Sequence, residues 1–276
     1  MTVKCTSRYA THPADYARYD MQQLKDHYLV NGLFRDDEIN FVYTHYDRLM
    51  VGGAKPVDGG LVLETVDQLK APYFLERREL GAINVGGPGR VEVGDETYEL
   101  GYKDALYVGA GNEKVVFHSD DAANPAKFYL NAAPAHTAYP TKRITLADAD
   151  KMALGSPETS NERVINKLIV NSVVEVCQLQ MGMTQLKTGS VWNTMPAHQH
   201  DLGDVHRKAE IEIRMLGHVP HQGAGVGRGA TVAGSSSATK TPIMAITTKS
   251  SIRVNPRSFF MRIHLPMARC TSRPWV

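Results

Sequence analysis

From Ile213 to Val276 the chain contains no Asp or Glu, although seven Arg and two Lys fall there, and all twelve Tyr lie before residue 200. That stretch cannot supply a carboxylate to a metal ion or to acid–base chemistry. Cysteine is also scarce. Cys5, Cys177 and Cys270 are odd in number, far apart and form no CxxC pair, which excludes a disulfide scaffold and fits a reducing compartment. No apolar run approaches the length of a membrane span, and the N-terminal MTVKCTSRYATHPADYARYD lacks the apolar core of a signal peptide. No Lys/Arg run with interleaved aromatics marks a nucleic-acid surface. The expectation is a soluble cytoplasmic protein with neither a nucleic-acid nor a membrane partner.

What is present divides the chain. Its 276 residues are 42% hydrophobic, enough for one large domain or two ordinary ones. The net charge of +2 hides an asymmetry: residues 1–200 carry 20 basic and 25 acidic groups, residues 201–276 carry 11 and 4. The front is acidic and bears the tyrosines, whereas the back is rich in Gly, Ser and Arg and only weakly periodic.

Apolar spacing at Met21, Leu24, Tyr28 and Leu29 predicts a helix within residues 11–33. Short strands and turns then follow. Ile39–Tyr46 alternates, Arg90–Val93 and Thr97–Leu100 form a hairpin through Gly94, and Ala105–Gly109, Lys114–His118 and Ala126–Leu130 come at short intervals. This pattern indicates antiparallel sandwiches or barrels rather than βαβ units. Residues 134–160 read as a connector. A second strand series starts at Val164–Val170 and Val174–Met183 and continues through Gly189-Ser190 into Trp192. Beyond residue 200 the strand signals are Ile211-Glu212-Ile213, Pro242–Thr248 and Ser258–Leu265. The predicted fold is all-β: two tandem β-barrels with a short N-terminal helix, the second barrel incomplete if the weak signals past residue 200 do not close it.

The strongest chemical signal is His198-Gln199-His200. On a strand, residues two apart face the same way, so both imidazoles can reach one ion at about 2.0–2.1 Å. A full site needs a third and a fourth ligand. His206, Glu210, Glu212, His218, His221 and His264 are the candidates, and no motif selects among them. Asp204 sits beside His206 in a loop context. His45, His118 and His136 read as hydrogen-bonded structural histidines. The charges in Phe74–Gly81 (FLERRELG) read as a solvated edge with Glu–Arg pairs, or as guanidinium groups set for a carboxylate. The glycines of Gly81–Gly89 lack the strand–loop–helix context of a phosphate cradle and read as turns. Neither Ser190 nor Ser235–Ser237 has a triad around it, and the catalytic base is not identified.

The strings YTHYDRLMVGGAKPV, YFLERRELGAINVGGPGRVEVGDETYELGYKDALYVGAG, PAKFYLNAAPAHTAYPTKR, TSNERVINKLIV and CQLQMGMTQLKTGSVWNTMPAHQH resemble the 5-keto-4-deoxyuronate isomerases, nearly unbroken from about residue 20 to His200. The resemblance implies two cupin-like barrels, over residues 1–145 and 160–276, a homo-oligomer that is a hexamer in the family, and one zinc ion per chain in the second barrel. It implies a cytoplasmic enzyme of pectin and uronate catabolism. That enzyme converts 5-dehydro-4-deoxy-D-glucuronate to 3-deoxy-D-glycero-2,5-hexodiulosonate. The family's first two zinc ligands fall on His198 and His200. Its third, a Glu, falls on Val205, and its fourth, a late His in a Ser-Ile-His-Ser-Gly context, has no match. An out-of-frame reading of residues 201–276 would account for the break. The other readings of the same chain are a catalytically impaired sugar-acid-binding or oligomeric remnant and a metal-dependent cupin oxygenase.

Overall fold

The structure, a computed structural model, describes residues 3–191, 209–215, 244–249 and 263–264. The chain begins with β1 (Val3–Arg8) and two short helices, α1 (Pro13–Tyr16) and α2 (Met21–Tyr28). Strands β2 (Glu38–Thr44), β3 (Met50–Lys55), β4 (Leu61–Val62), β5 (Arg78–Asn84), β6 (Gly89–Val93), β7 (Glu96–Leu100), β8 (Ala105–Val108), β9 (Val115–Ser119) and β10 (Phe128–Pro134) follow. Next come β11 (Lys142–Ile144), β12 (Asp150–Leu154), β13 (Arg163–Ile169) and β14 (Leu179–Leu186). The last described strands are β15 (Ala209–Met215), β16 (Met244–Lys249) and β17 (Ile263–His264). The fold is all-β with little helix, as the turn-punctuated sequence predicts.

The strands form three sheets. A seven-stranded sheet has the order β1-β2-β3-β10-β5-β8-β11, a four-stranded sheet β4-β9-β6-β7, and a six-stranded sheet β12-β13-β14-β15-β16-β17. The seven-stranded sheet is the common wall. One of its faces carries Ile39, Phe41, Met50, Leu80, Leu106 and Phe128 against Val91, Val93 and Phe117 of the four-stranded sheet. The other carries Val51, Ile83, Tyr107 and Tyr129 against Ile169, Leu179, Met181 and Met183 of the six-stranded sheet. Burial on both sides explains the strand composition. All seven residues of β5 and all four of β8 are buried, whereas β6, with one face toward solvent, alternates buried and half-buried positions. Each fully buried Phe contributes about 1.5–3 kcal/mol through removal of apolar surface from water.

Local rules account for the connections. Asp20 caps α2, its side chain accepting from the Gln23 backbone while the Gln23 side chain accepts from the Asp20 backbone. Gly94, at φ +60°, supplies the positive dihedral for the two-residue link between paired Val93 and Glu96. The predicted hairpin is therefore observed.

Four expectations change. The predicted helix of residues 11–33 is two short helices, and α2 has no buried residue, with Met21 55% exposed. Its apolar spacing thus does not mark a core face. The connector of residues 134–160 contains β11, which closes one edge of the seven-stranded sheet, and β12, which opens the six-stranded one. The strand expected from Val174 begins at Leu179, after a turn in which the Val174 N–H donates to the Val170 carbonyl. In Phe74–Gly81 only Glu76 and Arg77 form the expected exposed pair, at 3.1 Å. Arg78 and Glu79 are buried, 6% and 0% exposed.

Candidate functional site

His198 and His200, the predicted metal pair, lie outside the described residues, as do Asp204, Val205, His206, His218 and His221. Of the other candidates, β15 holds Glu210 and Glu212, in parallel register with Gln180 and Gly182 of β14. His264, in β17, is in register with Lys249 of β16. Among the described residues no three His, Cys, Asp or Glu side chains assemble into a metal-binding group. Each of the first-half histidines has a defined neighbour. His45 stacks on Tyr9 at 4.5 Å, His118 Nε2 lies 3.1 Å from Glu92, and His136 approaches Cys177.

What the described structure does build is a strand wall in the six-stranded sheet. In β14 (LQMGMTQL), Leu179, Met181 and Met183 face the common wall. The intervening Gln180 and Thr184 therefore point to the opposite side, yet they are only 3% and 1% exposed. Register puts Thr184 opposite Ile165 and Gly182 opposite Lys167, and Lys167 opposite Asp150. Residues directly opposite share a face, so this side of the sheet carries a polar row in which Gln180 and Thr184 are buried and Lys167 and Asp150 half-buried. Lys167 Nζ reaches Asp150 Oδ2 at 3.2 Å, and the Ser172 hydroxyl lies 3.4 Å from the same oxygen. On the other face Asn166 donates to the Met183 carbonyl and the Gln185 side chain, at 3.2 and 2.8 Å.

The start of β14 is fixed by a carboxylate from another sheet. Glu79, on β5, accepts the backbone N–H groups of Cys177 (2.8 Å), Gln178 (2.6 Å) and Leu179, and the Tyr107 hydroxyl at 2.7 Å. A buried carboxylate requires such donors, and charge-assisted bonds of this kind are the stronger ones. Burial, and then the neighbouring Glu79, push the Tyr107 phenol well above its ordinary value. Gly81, two residues on, leaves room for the contact, because a Cβ there would stand 2.2 Å from Met181 Sδ. The polar row is thus held by a clamp that no local sequence pattern announces. The period-two alternation of β14 was visible; Glu79 inside a charged tetrad was not.

Arg78 belongs to the opposite face of the same strand. Its Nη2 donates to the carbonyls of Arg48 (2.6 Å) and Ala132 (2.7 Å), and its guanidinium lies 6.0 Å from the Tyr43 ring centre. Burial brings it down to about 10. Two backbone acceptors and an aromatic face make this a structural cation at the rim of the first core.

The sequence profile of the KduI/IolB family matches residues 31–254, a span from β2 to β16 that includes both cores. The chain belongs to that family. Curated relatives agree. A protein of Formosa agariphila named 4-deoxy-L-threo-5-hexosulose-uronate ketol-isomerase is 59% identical over 201 residues, 73% of this chain and 72% of that one. The protein of the same name from Bacteroides fragilis strain NCTC 9343 is 56% identical over 193 residues, 70% of this chain and 69% of that one. Among solved structures, a cupin protein from Bacteroides fragilis is similar at a TM-score of 0.25 and 16% identity, over 33% of this chain and 70% of that chain. The family profile extends past His200, where the motif-by-motif resemblance ends. No helix among the described residues is long and apolar enough to cross a membrane.

Proposed function

We propose that this KduI/IolB family chain is a ketol-isomerase. It converts 5-dehydro-4-deoxy-D-glucuronate to 3-deoxy-D-glycero-2,5-hexodiulosonate in cytoplasmic pectin and uronate breakdown. The observation that carries this reading is the 59% identity, over 72% of its length, to a relative named for that activity. The fold supports a division of labour. The first core is filled by Phe41, Phe74, Phe117 and Phe128, so the chemistry belongs to the second barrel, where the polar row lies. That barrel is proposed to span residues 160–276 and the first to span residues 1–145.

The reaction moves a proton between adjacent carbons while a carbonyl is polarised. The described donors assemble no set of three ligands. By the family resemblance the zinc is proposed at His198 and His200, where it would supply a Lewis acid for the substrate oxygen. Gln180 and Thr184 are already engaged within the protein. Their part is to hold the polar face of β14 beside β15, the strand that carries Glu210 and Glu212, rather than to bind substrate themselves. The substrate is a small keto-uronate, and the chain is proposed to assemble as a homo-oligomer, a hexamer.

A second reading has one specific observation behind it: Val205 stands where the resemblance places a carboxylate ligand, and valine cannot ligate. On that reading the chain is a sugar-acid-binding remnant. Metal analysis of the purified protein, run beside turnover of the keto-uronate, separates the two. About one zinc per chain with turnover supports the isomerase. No zinc and no turnover rejects it in favour of the remnant, and bound iron with oxygen consumption points to an oxygenase.

A further inference from the structure

Outside the polar row, one pair of nucleophilic and basic side chains stands at the junction of the sheets. Cys177, just before β14, is a half-buried free thiol. Its Sγ lies 3.2 Å from His136 Nδ1 and accepts the His136 backbone N–H at 3.3 Å. His136, in the segment following β10, is exposed to solvent. The Gln178 amide nitrogen approaches the same Nδ1 at 3.5 Å. A ring protonated on Nε2 leaves Nδ1 as an acceptor within reach of the thiol and of the Gln178 side-chain amide. The buried Glu79 carboxylate takes the Cys177 backbone N–H, not the sulfur.

We propose that Cys177 and His136 form a reactive thiol–imidazole pair, a modification site that takes small-molecule disulfides as mixed disulfides. The thiolate, not the thiol, is the attacking species, and a base within reach produces it. In the step, the Cys177 proton passes to His136 Nδ1 and the sulfur attacks one sulfur of the disulfide. The old S–S bond breaks as the new one forms, and the departing thiolate takes the proton back from His136. Cys177 is oxidised, the leaving half is reduced, and no other oxidant is needed. The site is independent of the isomerase reading, because neither side chain belongs to the polar row.

Cys5 provides the internal contrast. It is also half-buried and free, but burial pushes its thiol up, and its Sγ faces the Thr6 carbonyl at 3.8 Å. The test uses the full chain, reduced, freed of reductant and mixed with glutathione disulfide, with adducts followed at each cysteine by peptide mass mapping. Cys177 is expected to carry glutathione first. In His136→Gln its rate should fall at least about tenfold, below the roughly hundredfold or more of an enzymatic general base, with the Cys5 rate unchanged. A Cys177 that reacts no faster than Cys5 in the unaltered protein, or at the same rate in His136→Gln, overturns the proposal. The first comparison needs no variant, so the proposal stays testable even if His136→Gln misfolds.

Discussion

The two faces of the seven-stranded sheet are both buried, but they are buried by different means. Toward the four-stranded sheet the contact is aromatic and aliphatic, with Phe41 tilted on Phe74 at 4.9 Å and Phe117 on Phe128 at 5.2 Å. Toward the six-stranded sheet the apolar contact is interrupted by Glu79, Tyr107, Tyr129 and Asn131, all 0% exposed. A purely apolar face tolerates any filling of the right volume and shape. On the second face Glu79 and Tyr107 accept only the arrangement that pairs them, because each orphaned donor or acceptor costs about 1–3 kcal/mol; Tyr129 Oη and the Asn131 amide meet no partner among the described residues. The first face therefore supplies stability, and through Glu79 the second fixes where β14 begins.

Four changes test this contrast, from the largest expected effect to the smallest. Glu79→Ala strips the acceptor from two buried donors, the Tyr107 hydroxyl and the Leu179 N–H, and from the part-buried N–H groups of Cys177 and Gln178. It should cost about 4 kcal/mol or more at the usual penalty per orphaned group, read by urea unfolding. A loss under about 1 kcal/mol would show that water replaces the clamp at no cost. On the other face, Phe117→Ala should lose about 3–5 kcal/mol through lost burial and a cavity. Activity at the protein's own folding temperature should survive Phe117→Ala better than Glu79→Ala, because only the second displaces β14. Gly81→Ala drives a methyl group against Met181 and Ile169. Overpacking there should cost about 1–3 kcal/mol, with a lower melting temperature as the readout.

The smallest effect is in alkali. Burial raises both Tyr107 and Tyr129 above the ordinary phenol value. Their folded values exceed the unfolded ones, so the folded state binds more protons above about pH 10 and stability falls as pH rises past that point. A spectrophotometric titration should find these two phenols ionising only with unfolding. Ionisation of all twelve tyrosines in the folded protein would contradict the burial of the second face.

Sequence patterning disclosed the strands that have one wet face and the turns between them. The β6–β7 hairpin could be read because Arg90-Val91-Glu92-Val93 alternates and Gly94 permits the turn. Strand β5 was misread because both its faces are covered. Arg78 and Glu79 look like surface charges until the backbone carbonyls of Arg48 and Ala132 and the N–H groups of residues 177–179 are brought to them from distant segments. Helix α2 erred the other way, since its spacing is amphipathic but none of its residues is fully buried. At the candidate site, the pairing of His198 with His200 rests on local spacing and needed no fold. The polar row of Gln180 and Thr184 was half legible, as an alternation whose burial the sequence does not state.

The sequence by itself determined the all-β character, the β6–β7 hairpin and the family, because each depends on neighbours a few residues apart or on direct similarity. Only the tertiary structure decided that one sheet serves two cores, that Glu79 clamps β14 across a separation of about a hundred residues, and that His136 meets Cys177. Those contacts join segments remote in the chain. Their energy comes from desolvation and pairing, which exist only once the sheets have closed on one another.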